Sequence, residues 1–208
     1  MQINLWPGGP TLQLADHWQP FHTLPDDPPG TQAFGYKFTG GESGVVVVKP
    51  IPQEVAMELD AQSVIDGIRR VPDVIEGQVG LIDVDVAKTA SGVPYVYSIV
   101  KIRLEPVGVE YNLTLHFPGE HPVQLQGGFA EGNPTGARDA MVYEMARRNN
   151  MVGAPTANDP SGGWARDPFD HSTTGFVMNM SELPRFDEQF LAHPLSMARE
   201  LLRSIAGS

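Results

Sequence analysis

Asp83 and Asp85 stand two residues apart in the run GQVGLIDVDVAKT, and His116 lies near the end of the later run VEYNLTLHF. Two carboxylates and an imidazole on neighbouring strands could form an oxygen-rich metal site or an acid/base pair. A second grouping, Arg166, Asp167 and His171, surrounds Phe169 in a turn-rich stretch, and loops carry catalytic groups more often than their share. Each has a plainer account. Lys101 and Arg103 lie on the strand between Asp83/Asp85 and His116, with similar outward parity, so cross-strand charge pairing on a solvated sheet face explains the first grouping. In the second, Asp167 and Asp170 can hydrogen-bond local backbone and Arg166 can meet a carboxylate, so a turn explains it. The plainer accounts are preferred, and no catalytic residue, metal or cofactor is expected. The alternative is a small enzyme or metal-binding protein using His116 with Asp83 and Asp85, or His171 with Asp167.

Motifs that would change this balance are missing. The six histidines include no H-x3-H or HExxH pair, so helical zinc spacing is absent. There is no GxSxG elbow, no phosphate loop and no strand-linked GxGxxG. With no cysteine, disulfides, thiolate sites and thiol nucleophiles are removed together.

The chain must position whatever it does with 208 residues, 41% hydrophobic and 19% charged, a composition that suits one folded domain with an extension. A formal charge of −11 and scattered basic residues argue against nucleic acid as a partner. No apolar run is long enough to span a bilayer. The opening MQINLWPGG lacks the regions of a signal peptide, so a cytoplasmic location is expected.

Periodicity predicts an α+β fold. INLW and TLQL flank Pro7-Gly8-Gly9-Pro10 as a short hairpin, and a loop spans Pro20 to Thr31. AFGYKFTGGESGVVVVK reads as a second hairpin. A helix is expected from Pro52 to Arg70, stopped by Pro72, with Met57, Ala61, Val64, Ile65 and Ile68 on its apolar face.

Strands then follow at GQVGLIDVDVAKT, VPYVYSIVKIRL, VEYNLTLHF and VQLQGGF, joined by short turns that include Pro106-Val107-Gly108 and Pro118 to Pro122. They make an antiparallel meander with one apolar face covered by helices and one mixed face. In the first strand Ile82, Val84 and Val86 share one face and Leu81, Asp83 and Asp85 the other. In the third, Val109, Tyr111, Leu113, Leu115 and Phe117 point one way. A second helix starts after Asn133 and buries Ala137, Ala140, Met141 and Met145. A third runs from Pro194 with Leu195, Ala198, Leu202 and Ile205 inward.

The expected division is 1–150 for the α+β domain and 151–208 for an aromatic-rich extension packed on it. Between Gly162 and Pro194 the chain has no helical or strand period, yet it carries Trp164, Phe169, Phe176, Phe186 and Phe190. A free linker has nothing in which to bury such residues. The segment is therefore expected to be a strap whose aromatics are buried against the body, or an arm for a partner. Trp164, Arg166, Asp167, Phe169, Phe176, Phe186 and Phe190 are the candidate strap or partner contacts. Asp187 and Glu188, near Arg185, read as surface charges or a local turn.

The opening INLWPGGPTLQLADHWQ and the succession Pro52–Arg70, Gln78–Phe129 and Thr135–Arg148 resemble the PsbP-like fold over roughly the first 150 residues. The resemblance implies a small, non-enzymatic protein-binding protein, an adaptor or chaperone-like factor of bacterial type whose partner is another protein. No individual residue role follows from it.

Overall fold

The computed structural model describes residues 1–55, 57–71, 77–104, 108–120, 122–157 and 159–208. Pro72, Pro106 and His121, read above as helix stop and turn residues, lie outside the described residues. The fold is α+β. Strands β1 (Gln2–Asn4) and β2 (Thr11–Gln13) pair as the opening hairpin. Seven further strands form one antiparallel sheet: β3 (Gln19–Phe21), β4 (Gln32–Lys37), β5 (Ser43–Pro50), β6 (Val79–Lys88), β7 (Pro94–Arg103), β8 (Val109–Phe117) and β9 (Val123–Ala130). Their spatial order is β3-β4-β5-β9-β8-β7-β6. The expected meander is thus β6 to β9, and its last strand also takes β5 as a neighbour. Strand β3 overlaps the start of the stretch read as a loop. Pro20 masks it in sequence, and it survives because an edge strand needs hydrogen bonds on one side only.

The ladder register assigns each residue to a face. The rung Asp85–Tyr97–Leu115–Leu125–Val48 crosses the sheet on the side of the main core. Tyr111, Leu113, Leu115 and Phe117 are buried there, as the alternation in β8 predicts. The main core joins them to Leu12 and Leu14 at the hairpin, Trp18, Val46, Val48, Ile99 and Phe129. Each fully buried side chain of this size contributes about 1.5–3 kcal/mol relative to exposure.

The mixed-face expectation fails at β6 and β7, because both of their faces are covered. A β-bulge between Leu81 and Asp83 breaks the alternation. Ile82 joins the main core, while Leu81 and Val84 turn with Val96 to the opposite face, where helix α1 (Ala61–Arg69) covers them through Val64 and Ile65.

That helix starts nine residues after Pro52. Asp60 is its cap, accepting the Gln62 N–H at 3.2 Å and the Ser63 N–H at 3.0 Å, and only a short 3-10 turn, Gln53–Val55, precedes it. Helix α2 (Ala137–Arg148) is rotated relative to expectation. It buries Arg138, Val142 and Ala146, while Ala137 and Ala140 are exposed, Met145 is half-buried and Met141 is 64% exposed. Polar partners waiting beneath Arg138 decide that rotation. Helix α3 (Pro194–Ala206) packs on β2, β8 and β9 with Leu195, Ala198, Leu201 and Ile205 buried and Leu202 half-buried. Among the described residues, no helix is long and apolar enough to cross a membrane.

Candidate functional site

The stretch between α2 and α3 carries one isolated β-bridge, Ala165 to Asn179, and two short 3-10 segments, Met180–Glu182 and Pro184–Gln189. Charge, more than aromatic burial, attaches it to the body. Asp187 is 2% exposed, and its Oδ1 accepts from Arg138 at 3.2 Å, Arg199 at 3.1 Å and Ser196 at 3.3 Å. Arg203 reaches Oδ2 at 3.5 Å from an exposed position. Arg138, only 1% exposed, also donates Nε–H to the Ser181 carbonyl and Nη1–H to Ser196 Oγ, both at 2.8 Å. Burial lowers the Arg138 pKa, and Asp187 pulls it back. Reading Asp187 as a surface charge is therefore wrong. A sequence places Asp187 next to Arg185 but cannot show that Arg138, 49 residues away, arrives to take it.

Glu182 forms a second anchor. It accepts from Lys101 Nζ and the Tyr111 hydroxyl at 3.0 Å each, and from the Asn179 N–H at 2.6 Å, which completes a capping box. Burial raises the Tyr111 pKa well above its ordinary value, reinforced by the Glu182 charge. Lys101 thus points into the core side of the sheet and pairs with the strap, where cross-strand pairing on a solvated face was expected. From α2, Asp139 adds bonds to Asn179 Nδ2 at 3.0 Å and to Ser181 Oγ.

A third anchor is Asp167, which accepts from Arg69 of α1 at 3.2 Å and from the backbone N–H groups of Phe169 at 2.7 Å and Asp170 at 2.9 Å. Asp170 in turn holds Ser172 and Thr173. These bonds fix the loop from Asp167 to Gly175 opposite the bridge at Ala165 and Asn179. Between loop and bridge lies a cavity of ≈ 850 Å³. Its apolar lining is Trp164, Val177, Met178, Met180 and Leu183, and its polar lining includes Arg166, His171, Thr173, Thr174, Ser161 and Asp159. Asp159 is committed to a turn, accepting from Ser161 N at 3.1 Å and Ser161 Oγ at 2.7 Å. Arg166 and His171 are exposed, and among the described residues no carboxylate pairs with either side chain.

The aromatic contacts divide. Phe186 is buried. Trp164 is half-buried with its ring 4.9 Å from that of Tyr143, edge to face. Half-buried Phe176 receives Lys101 at 4.6 Å and Arg103 at 4.7 Å over its ring, and half-buried Phe190 lies 5.6 Å from the Arg138 guanidinium. Phe169, expected to be buried, is 36% exposed. The loop that holds it is shaped by Asp167, so its ring is free to face solvent.

The alternative catalytic groupings do not assemble. Asp83 opposes Ile99 and Asp85 opposes Tyr97 on the main-core side, whereas His116 opposes Val96 and Gln124 on the other face of the sheet. Burial raises the Asp83 carboxyl, with Arg199 drawing it the other way, and burial lowers the His116 imidazole, with Lys49 adding to the effect. His171 makes no hydrogen bond to Asp167 among the described residues, and the Asp167 carboxylate is taken by Arg69 and backbone. Among the described residues, no cluster of three or more histidines and carboxylates could hold a metal.

A second hollow of ≈ 300 Å³ lies between Glu131, Arg138, Phe190 and His193. His193 caps α3, its Nδ1 accepting the Leu195 N–H at 3.2 Å, so its ring proton sits on Nε2 and faces Glu131 Oε1 at 3.0 Å. Burial pushes the Glu131 carboxyl up, but the bonds from His193, Thr135 and the Gly136 N–H outweigh it and hold the pKa below the ordinary carboxylate value.

No protein-family model and no curated protein sequence matches the chain. Solved structures do. The cyanobacterial PsbP protein CyanoP of Synechocystis sp. aligns with a TM-score of 0.42 and 13% identity over 71% of this chain and 89% of its own. The Saccharomyces cerevisiae Ran-binding protein Mog1p aligns with a TM-score of 0.40 and 10% identity over 69% and 82%. This is a weak, PsbP-like resemblance of fold.

Proposed function

We propose that this is a non-enzymatic binding protein of the adaptor type, and that it takes a segment of a partner protein in the cavity between residues 159 and 183. The observation behind this reading is the cavity itself. Its ≈ 850 Å³ falls within the range of small-ligand and peptide side-chain sites, and its lining mixes apolar surface with a few convergent polar groups. Three buried charged anchors, at Asp167, Glu182 and Asp187, fix the chain that forms it, so the cavity is in place before anything binds. The exposed Phe169 and the side chains of Trp164 and Arg166 supply the kinds of contact that dominate protein recognition.

The test is site-specific photo-crosslinking. A benzophenone amino acid placed at His171 in the full-length protein, expressed in its native cells, should capture one discrete partner. Trp164→Ala should abolish the adduct without lowering the yield of soluble protein. An adduct unaffected by Trp164→Ala, or obtained equally from a probe at exposed Leu24 in the loop between β3 and β4, overturns the assignment.

A further inference from the structure

We propose that the cavity selects a ligand carrying a carboxylate on an apolar group, with Arg166 as the carboxylate receptor and Trp164, Val177 and Met178 as the apolar seat. The inference rests on the cavity reading above and adds the chemistry of the occupant. A guanidinium in a ligand site is open to a bound carboxylate when the chain itself supplies no carboxylate partner. Arg69, Arg138, Arg147, Arg148, Arg199 and Arg203 each have one. Arg70, Arg103, Arg166 and Arg185 do not, among the described residues, and of these four Arg166 lines the cavity. Its backbone N–H is held to the Met178 carbonyl at 2.8 Å, so the base of the side chain is fixed to the cavity wall.

The surrounding groups narrow the ligand further. Asp159 also lines the cavity; its Oδ1 accepts from Ser161, and among the described residues it makes no ion pair with Arg166. Thr174 offers a hydroxyl beside His171, while the Thr173 hydroxyl is donated to Asp170 at 3.3 Å. One guanidinium beside a neutral hydroxyl matches the planar, singly charged carboxylate, which Arg binds through two parallel N–H bonds. A phosphate dianion ordinarily draws several cations or a run of backbone N–H groups, which this lining does not present. Beside Arg166, buried Val177 and Met178 and the half-buried Trp164 indole leave an apolar wall suited to an aromatic or branched aliphatic group. The shared chemistry has two sources, a free apolar carboxylic acid or the C-terminal carboxylate of a polypeptide ending in an apolar residue.

The experiment uses the full-length protein labelled with nitrogen-15 and three probes: N-acetylphenylalanine, its C-terminal amide, and a six-residue peptide ending in phenylalanine with a free carboxylate. Amide resonances of Ala165, Arg166, Thr173 and Thr174 should shift, and the acid should bind about tenfold more tightly than the amide, the increment of one charge-assisted pair. Arg166→Gln should remove that preference while the amide binds as before and the thermal transition is unchanged. Arg166→Lys should restore part of it. A peptide tighter than the free acid identifies a polypeptide C-terminus as the source, and equal affinities identify a free acid. Equal binding of acid and amide by the wild-type protein overturns the carboxylate assignment whatever the variants do. If the His171 crosslink still forms in that case, the partner-binding function stands without it. Absence of shifts with every probe up to about 10 mM, beyond the weakest useful affinity, overturns it as well.

Discussion

Arg138 of α2 and Asp187 of the strap lie 3.2 Å apart with both side chains almost wholly withdrawn from solvent. Their pairing explains why α2 turns Met141 outward and Arg138 inward. Asp187 is shared with Arg199, so its removal would leave two buried guanidinium groups without their counter-ion.

Asp187→Ala should therefore cost about 3–5 kcal/mol of unfolding free energy, the range for breaking a buried pair from one side. Arg203→Ala should cost under about 1 kcal/mol, because that arginine is 61% exposed and its pairing is screened. Urea denaturation of the two variants against wild type measures the contrast, and equal losses would refute the view of Asp187 as a buried hub.

The strap phenylalanines should differ in the same measurement. Phe186→Ala should destabilise by about 3–5 kcal/mol, as for other buried aromatics. Phe169→Ala should stay within about 0.5 kcal/mol, as surface changes do. A large loss at Phe169 would mean that its ring is covered in solution.

Gly80 in β6 lies beneath the strap. A Cβ added there would stand 2.4 Å from the Phe176 carbonyl oxygen and 3.0 Å from Lys101 Cε. Backbone on one side cannot yield cheaply, so Gly80→Ala should lift the strap at Phe176 and cost about 1–3 kcal/mol. Limited proteolysis should then cut between Gly153 and Arg185 faster than in wild type, and an unchanged cleavage rate would refute this contact.

Acid should act through Glu131. Its folded pKa is depressed below 4.5, so the unfolded chain takes up a proton first as pH falls. The stabilisation is present above that unfolded value and is lost as pH descends through the folded one. Glu131→Gln should flatten the fall of melting temperature in that window while lowering stability at neutral pH. Parallel curves for the two proteins would refute the assignment.

The sheet was legible because β8 alternates without interruption and α3 repeats its apolar residues at helical spacing. Errors came where one local signal stood for two incompatible outcomes. Pro52 can open a helix, but Asp60 with Ser63 opens it better. The bulge at Ile82 adds one residue and reassigns Leu81, which no period can foresee. Within the strap, the eye goes to aromatics because burial is their default, whereas Asp187, Glu182 and Asp167 are buried only because Arg138, Arg199, Lys101 and Arg69 come from elsewhere in the chain. An N-cap aspartate is visible within four residues; an ion pair across 49 or 81 residues is not. The cavity depends on those distant pairs and is equally hidden, although Arg166 and Trp164 stand out in the sequence as strap or partner contacts.

The Asp187 hub also constrains how such a sequence can drift. Losing the aspartate strands Arg138 and Arg199, and losing either arginine leaves the other groups around a poorer partner. No single step away from the set is neutral, and replacing all of it by apolar residues of similar volume need not cost stability. Divergent copies of this chain should therefore fall into two populations, one keeping all three residues and one keeping none, with intermediates scarce.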